Sequence, residues 1–80
     1  MISLLRELTA AYGPSGREDE VRNVISNKIS SFVDEIYTDT LGNLIAVKKG
    51  RENGKRIMLA AHMDEIALVA SYIDENGFIR

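Results

Sequence analysis

The spacing of apolar residues changes near residue 34, and this change restricts the possible folds more than any other feature of the sequence. Before it, apolar residues recur every three or four positions, the period of an amphipathic helix. After it, they alternate or form short continuous runs, which is typical of strands. A chain of 80 residues has room for one domain. The pattern therefore predicts an α/β domain in which the helices come first.

The first part of the chain predicts two helices. One covers residues 2–12 and ends at Gly13 and Pro14, because glycine suits a C-terminal cap and proline cannot continue the helical ladder. The other follows at once, with Ser15 and Glu18 spaced as a capping box. The predicted apolar stripe of this second helix consists of Val21, Val24, Ile25, Ile29, Phe32 and Val33.

The second part predicts strands. Residues 36–39 and 44–47 form a hairpin with its turn at 41–43, and the charged segment 48–56 reads as an exposed loop. Residues 57–61 are short and continuously apolar, which predicts a central strand that is buried on both faces.

A further strand is predicted at residues 66–73, followed by a hairpin turn at 74–77 with Asn-Gly at its tip. The return arm has three residues, 78–80, and so short an arm pairs weakly. We therefore expect the chain to be an N-terminal fragment of a longer protein.

Composition excludes several classes of function. Ten basic and twelve acidic residues give a net charge of −2, so the chain lacks the basic face of a nucleic-acid-binding protein. No cysteine is present, which excludes disulfide scaffolds and thiolate ligands. No apolar run reaches the length of a membrane span, and Arg6 and Glu7 interrupt any signal peptide. We expect a soluble, cytoplasmic domain with one modest core and no membrane or nucleic-acid partner.

The single histidine lies directly after the predicted central strand. Ligands of open α/β sheets bind at the carboxyl ends of strands, and residues two apart on extended backbone point the same way. His62 and Asp64 therefore share a side, where the imidazole could hold zinc or cobalt and the carboxylate could orient it. A His-x-Asp spacing is common, however, and taken alone it favours a purely structural histidine–aspartate pair.

Two hydrolase classes are disfavoured. Asp64 and Glu65 are adjacent and project to opposite faces of a strand, whereas a glycosidase pair must face one site. A serine triad lacks its Gly-x-Ser-x-Gly turn, and Ser15 is better explained as a helix cap.

Three segments together resemble a known family: residues 8–18 (LTAAYGPSGRE), 39–44 (DTLGNL) and 61–66 (AHMDEI). In this order they are similar to the N-terminal region of the M42 metallo-aminopeptidases, the tetrahedral aminopeptidases, some of which carry a cellulase or endoglucanase label. The resemblance covers nearly the whole chain. One departure is Ala67, which stands where the motif usually has glycine.

The resemblance implies the N-terminal part of a three-layer α/β/α zinc-peptidase-like domain, here residues 1–69, with 70–80 as the start of an inserted β-rich dimerisation domain. It implies two divalent metal ions, zinc or cobalt, with His62 as a metal ligand and Asp64 as the catalytic aspartate that orients it. It also implies peptide substrates and a dimer-based homo-oligomer of up to twelve subunits. No position here matches the family's remaining ligands or its glutamate base.

The resemblance thus predicts a metal-dependent aminopeptidase of which this chain holds only part of the site. An 80-residue chain with one histidine cannot complete a two-metal site by itself, because a catalytic zinc needs about three protein ligands. The alternative is a non-catalytic α/β module for assembly or partner binding.

Overall fold

The order of secondary-structure elements follows the change in apolar period. A computed structural model describes residues 1–80. Helix α1 spans Ile2–Ala10 and helix α2 spans Asp19–Ile29, which runs into a short 3-10 turn at Ser30–Phe32. Strands β1, Glu35–Thr38, and β2, Leu44–Val47, then form an antiparallel hairpin. The predicted α/β class, with two helices before a hairpin, is confirmed, and neither helix has the length and apolar character needed to cross a membrane.

Helix α1 ends earlier than its sequence predicts. Ala11 already has extended backbone angles, so the helix stops at Ala10 and Gly13 is not its cap. Leu4 and Leu8 are half-buried, and Ala11, which follows the helix, is buried. Lys28 and Glu7 add an ion pair between the two helices, with 2.9 Å between Nζ and Oε2.

The predicted capping box at the start of α2 is wrong. Glu18 itself occupies the N-cap without a capping side-chain bond, and its carboxylate accepts a hydrogen bond from the Gly16 N–H at 2.9 Å. A turn from Pro14 to Arg17, closed by a 2.8 Å bond from Arg17 N–H to Pro14 O, leads into the helix. Gly16 has a φ of +83°, which this turn requires and glycine adopts without strain.

Only part of the predicted stripe on α2 is buried. Val21 is buried, and Val24, Ile25, Ile29 and Val33 are half-buried, whereas Phe32 is exposed. Arg22, on the polar side of the sequence pattern, instead reaches the hairpin: its Nε donates to Gly42 O at 3.1 Å. Arg22 also pairs with Asp19 one turn earlier, so it joins α2 to the β1–β2 loop.

The β1–β2 hairpin has a single register, which runs from Glu35 opposite Val47 to Thr38 opposite Leu44. Its loop begins at Asp39, two residues before the predicted turn. The N–H of Gly42 donates to Asp39 O at 3.1 Å, and Gly42 has a φ of +90°. This is a type I turn followed by a left-handed glycine, a common hairpin loop.

The predicted central strand at residues 57–61 is wrong for this chain. The segment has no regular secondary structure, and Ile57, Met58 and Leu59 are 83%, 88% and 93% exposed. No backbone N–H of residues 55–64 donates to another backbone group. A strand buried on both faces needs neighbouring strands at its edges and packed layers on its faces. The chain's two strands pair with each other, and no helix covers residues 57–61.

The predicted strand at residues 66–73 is also wrong, since only its end pairs. Ile73 forms an isolated bridge to Ile79, and Ser71 and Tyr72 form backbone hydrogen bonds with Arg80. The turn at 74–77 is confirmed by bonds from Gly77 N–H to Asp74 O at 3.1 Å and from Asp74 N–H to Phe78 O at 3.0 Å.

The core is small and lies where the two helices meet the loop between them. Its four buried residues are Ala11, Gly13, Pro14 and Val21. The solvent-accessible area is 7518 Å², against about 4,800 Å² for a compact protein of this mass. The expectation of one modest core is therefore only partly met, because the apolar residues of the second half stay exposed.

Candidate functional site

Two segments that the sequence singled out separately meet in the structure. The N–H of Glu65 donates to Gly13 O at 2.9 Å, and Pro14 and Glu65 form a parallel bridge. This is the only hydrogen bond between residues 1–49 and residues 50–80. The loop between α1 and α2 therefore holds the segment that carries His62 and Asp64.

Close approach at this point depends on Gly13. A Cβ atom built on Gly13 would lie 2.8 Å from Val21 Cγ1 and 3.6 Å from Met63 O. Real Cβ atoms do not approach another atom as closely as the first of these distances. The missing side chain is what lets the loop lie between α2 and residues 63–65.

His62 and Asp64 are in direct contact, as the alternation of side chains predicts. His62 Nδ1 lies 3.1 Å from Asp64 Oδ1 and 3.0 Å from Asp64 O. Two acceptors at Nδ1 favour the tautomer with its proton there, which leaves the lone pair of Nε2 free. The imidazole is 85% exposed and the Asp64 side chain 39% exposed, so Nε2 is accessible to an incoming ligand.

A cavity of about 380 Å³, open to solvent, lies beside this pair. Its lining residues are Ser15, His62, Asp64, Glu65, Ile66 and Ala67. Ser15 was assigned a capping role from the sequence, but it belongs to this cavity. Its place follows from the bridge between Pro14 and Glu65, a long-range contact that no local sequence signal reveals.

The donor atoms at the site suit a single metal contact. His62 Nε2 is a borderline-soft nitrogen donor of the kind that zinc and cobalt accept, and Asp64 holds the opposite ring nitrogen. No group of three or more histidine or acidic side chains comes together anywhere in the chain. The residues present therefore fit one ligand and its orienting carboxylate, and any further ligands would have to come from other residues.

Comparisons with known proteins bear on this site. Residues 42–80 match the family model for the M42 glutamyl aminopeptidases. The chain is 56% identical to "Putative aminopeptidase" of Acetivibrio thermocellus over 80 residues. This aligned region is all of this chain and 24% of the relative. It is 40% identical over 79 residues to "Putative aminopeptidase FrvX" of Escherichia coli K12, covering 99% of this chain and 22% of that one.

A third relative, "Lysyl aminopeptidase" of Pyrococcus furiosus, is 36% identical over 78 residues, which are 96% of this chain and 22% of the relative. The chain spans about a quarter of the length of these curated relatives. By sequence, it belongs to the M42 aminopeptidase family and corresponds to the N-terminal region of its members.

Proposed function

We propose that this chain is the N-terminal part of the catalytic domain of a metal-dependent aminopeptidase, with residues 1–69 in that domain and 70–80 beginning an inserted dimerisation domain. The observation that carries the proposal is the His62–Asp64 contact, in which Nδ1 is held at 3.1 Å and Nε2 stays free. The similarity to relatives that are named aminopeptidases supports the reaction class.

In this proposal His62 supplies one metal ligand through Nε2. Asp64 accepts the proton on Nδ1, which fixes the ring orientation and raises the basicity of Nε2. When bound, two zinc or cobalt ions would lower the pKa of a bound water and polarise the peptide carbonyl that is cleaved. Peptide substrates, a cytoplasmic location and a dimer-based homo-oligomer are parts of the same proposal and rest on the family resemblance.

A chimera tests the two roles. Residues 1–80 replace the matching 80 residues of the A. thermocellus relative, and cleavage of leucyl and lysyl chromogenic substrates is measured with zinc or cobalt. We expect the chimera to be active, His62→Ala to lose one metal site and turnover, and Asp64→Asn to lose about 10–100-fold in kcat/KM. Metal content measured by elemental analysis separates lost binding from misfolding.

The controls are the unaltered relative, which establishes the baseline, and the 80-residue chain alone, which should be inactive. Full metal occupancy together with unchanged turnover in the His62→Ala chimera would overturn the ligand assignment.

A non-catalytic α/β module is the second candidate. The exposure of Leu59, Ile66 and Leu68, each above nine-tenths, favours a role in assembly, because large exposed apolar surfaces mark interaction sites. A chimera that folds and binds metal fully but turns over no substrate, while the unaltered relative is active, would favour this second function.

A further inference from the structure

The segment that carries His62 is attached to the rest of the chain at one point. Residues 50–80 share a single hydrogen bond with residues 1–49, from Glu65 N–H to Gly13 O. Glu65 directly follows Asp64, whose carboxylate and carbonyl oxygens both lie against the Nδ1 of His62. Any displacement of this bond is therefore passed to the group that orients the imidazole.

Gly13 determines how closely the loop between α1 and α2 can approach α2. On one side it contacts Val21, which is 4% exposed and the best-buried side chain of α2, and on the other it faces Met63 O. A methyl group at position 13 would meet Val21 Cγ1 at 2.8 Å and Val21 Cβ at 3.2 Å. Since Val21 is held in the core, the loop has to move away from α2 and take Glu65 with it.

We propose that Gly13 and Pro14 are positioning residues for the His62–Asp64 pair: the loop between α1 and α2 fixes the backbone of residues 63–65 and so keeps the Asp64 oxygens on Nδ1. The catalytic meaning of this inference rests on the proposed function. Its structural content, that a residue some fifty positions earlier controls the tautomer of His62, stands on the geometry alone.

The tautomer is tested first, in the metal-free chimera, with residues 1–80 segmentally labelled with ¹⁵N so that His62 is the only labelled histidine. At fixed pH the parent chimera should show the Nδ1-protonated form. Gly13→Ala should shift the ring nitrogens towards a mixture of both tautomers, as expected when the contact with Asp64 is loosened. Gly50→Ala is the matched control, because nothing lies within 4 Å of its added Cβ and its φ is not positive.

The double variant Gly13→Ala/Val21→Ala removes the 2.8 Å contact and should bring back much of the Nδ1-protonated form. If Gly13→Ala alone fails to fold, the tautomer of the double variant is compared with that of Val21→Ala alone. Kinetics provide the second readout: Gly13→Ala should lower kcat/KM about tenfold, mainly through kcat, since orientation of a ligand is affected and not substrate binding. Gly50→Ala should leave both constants unchanged.

The outcomes separate this inference from the proposed function. A tautomer shift in Gly13→Ala together with His62→Ala that is fully active would retain the positioning role and reject the metal role. Inactive His62→Ala together with an unchanged tautomer and unchanged kinetics in Gly13→Ala would reject the positioning role alone. A shift of equal size in Gly50→Ala would also reject it.

Discussion

At the scale of single residues, two aspartates build the same loop in different places. Asp39 accepts hydrogen bonds from the N–H groups of Leu41 at 3.0 Å and Asn43 at 2.9 Å, and Asp74 does the same for residues 76 and 78. In each loop the third residue after the aspartate is a glycine with a positive φ, Gly42 in the first and Gly77 in the second. Glycine identified both turns in the sequence, and the second was predicted to begin at Asp74. Asp39 was missed as the start of the first turn, because its role depends on side-chain bonds to the backbone.

The Asp39 loop gives a prediction about pH. A hydrogen bond from the Asn43 side chain, followed by backbone N–H bonds from Asn43 and Leu41, holds the pKa of Asp39 below its ordinary value of 3.8. Because the folded pKa is depressed, its stabilising effect is fully present above pH 3.8 and is lost as pH falls through the folded pKa.

The measurement is an NMR titration of the Asp39 carboxyl carbon and of the Leu41 and Asn43 amides in dilute chain. All three should change together, with a midpoint below 3.8. Asp39→Asn provides the control, in which the two amides should lose this transition. A midpoint at or above 3.8 would contradict these hydrogen bonds to Asp39.

At the scale of elements, the spacing of apolar residues correctly predicted those helices and strands that are stabilised by contacts between residues close in sequence. α1, α2 and the β1–β2 hairpin form because each buries its apolar side against a near neighbour or pairs within a few residues. Residues 57–61 have a clearer strand sequence than β1, yet they stay irregular and exposed. A central strand at these residues would need a neighbouring strand at each edge and a packed layer on each face. The apolar pattern of the segment indicates this requirement, but other parts of a fold have to meet it.

The same limit applies to the candidate site. The spacing of His62 and Asp64 predicted their contact, because alternation along extended backbone is a local property. The contact between the Gly13 loop and Glu65 could not be predicted, since it joins residues far apart in sequence through a backbone bond. Arg22 was likewise missed as a link to the hairpin, because its position on the polar side of α2 predicted only exposure to water.

Gly42 tests the junction between α2 and the hairpin. Its φ of +90° is unfavourable for other residues, and an added Cβ would lie 3.2 Å from Nη2 of Arg22. We expect Gly42→Ala to destabilise the hairpin by about 1–2 kcal/mol, the usual cost of a left-handed backbone. Amide exchange in β1 and β2 should then be roughly 5- to 30-fold faster. Gly50→Ala, which is free of both constraints, should leave exchange unchanged.

At the scale of the whole molecule, the chain exposes more surface than its mass predicts. Its radius of gyration is 17.0 Å, against about 12 Å for a compact domain of this length. The excess accessible area, about 2,700 Å², exceeds the 1,200–2,000 Å² that a standard protein interface buries. Much of it belongs to residues 57–61 and 66–73, whose apolar side chains are exposed.

We therefore expect the chain to self-associate through these segments. Exposed backbone with unpaired N–H and C=O groups and apolar side chains is a template for strand pairing with another chain. Residues 57–61 are flanked by Lys55 and Arg56 on one side and by Asp64 and Glu65 on the other. In an antiparallel pair of two copies centred on Ala60, each basic flank lies opposite the partner's acidic flank, and opposite charges across a strand pair are stabilising.

Sedimentation velocity over a range of chain concentrations measures this association. Lys55→Glu/Arg56→Glu should weaken it, because like charges then face each other across the pair, and added salt should reduce the difference between parent and variant. Lys49→Glu/Arg51→Glu makes the same change in net charge outside the flanks, so it should associate like the parent chain apart from a general charge effect. Equal weakening by both double variants would exclude this antiparallel arrangement, and a parent chain that stays monomeric at high concentration would show that its exposed apolar segments do not pair.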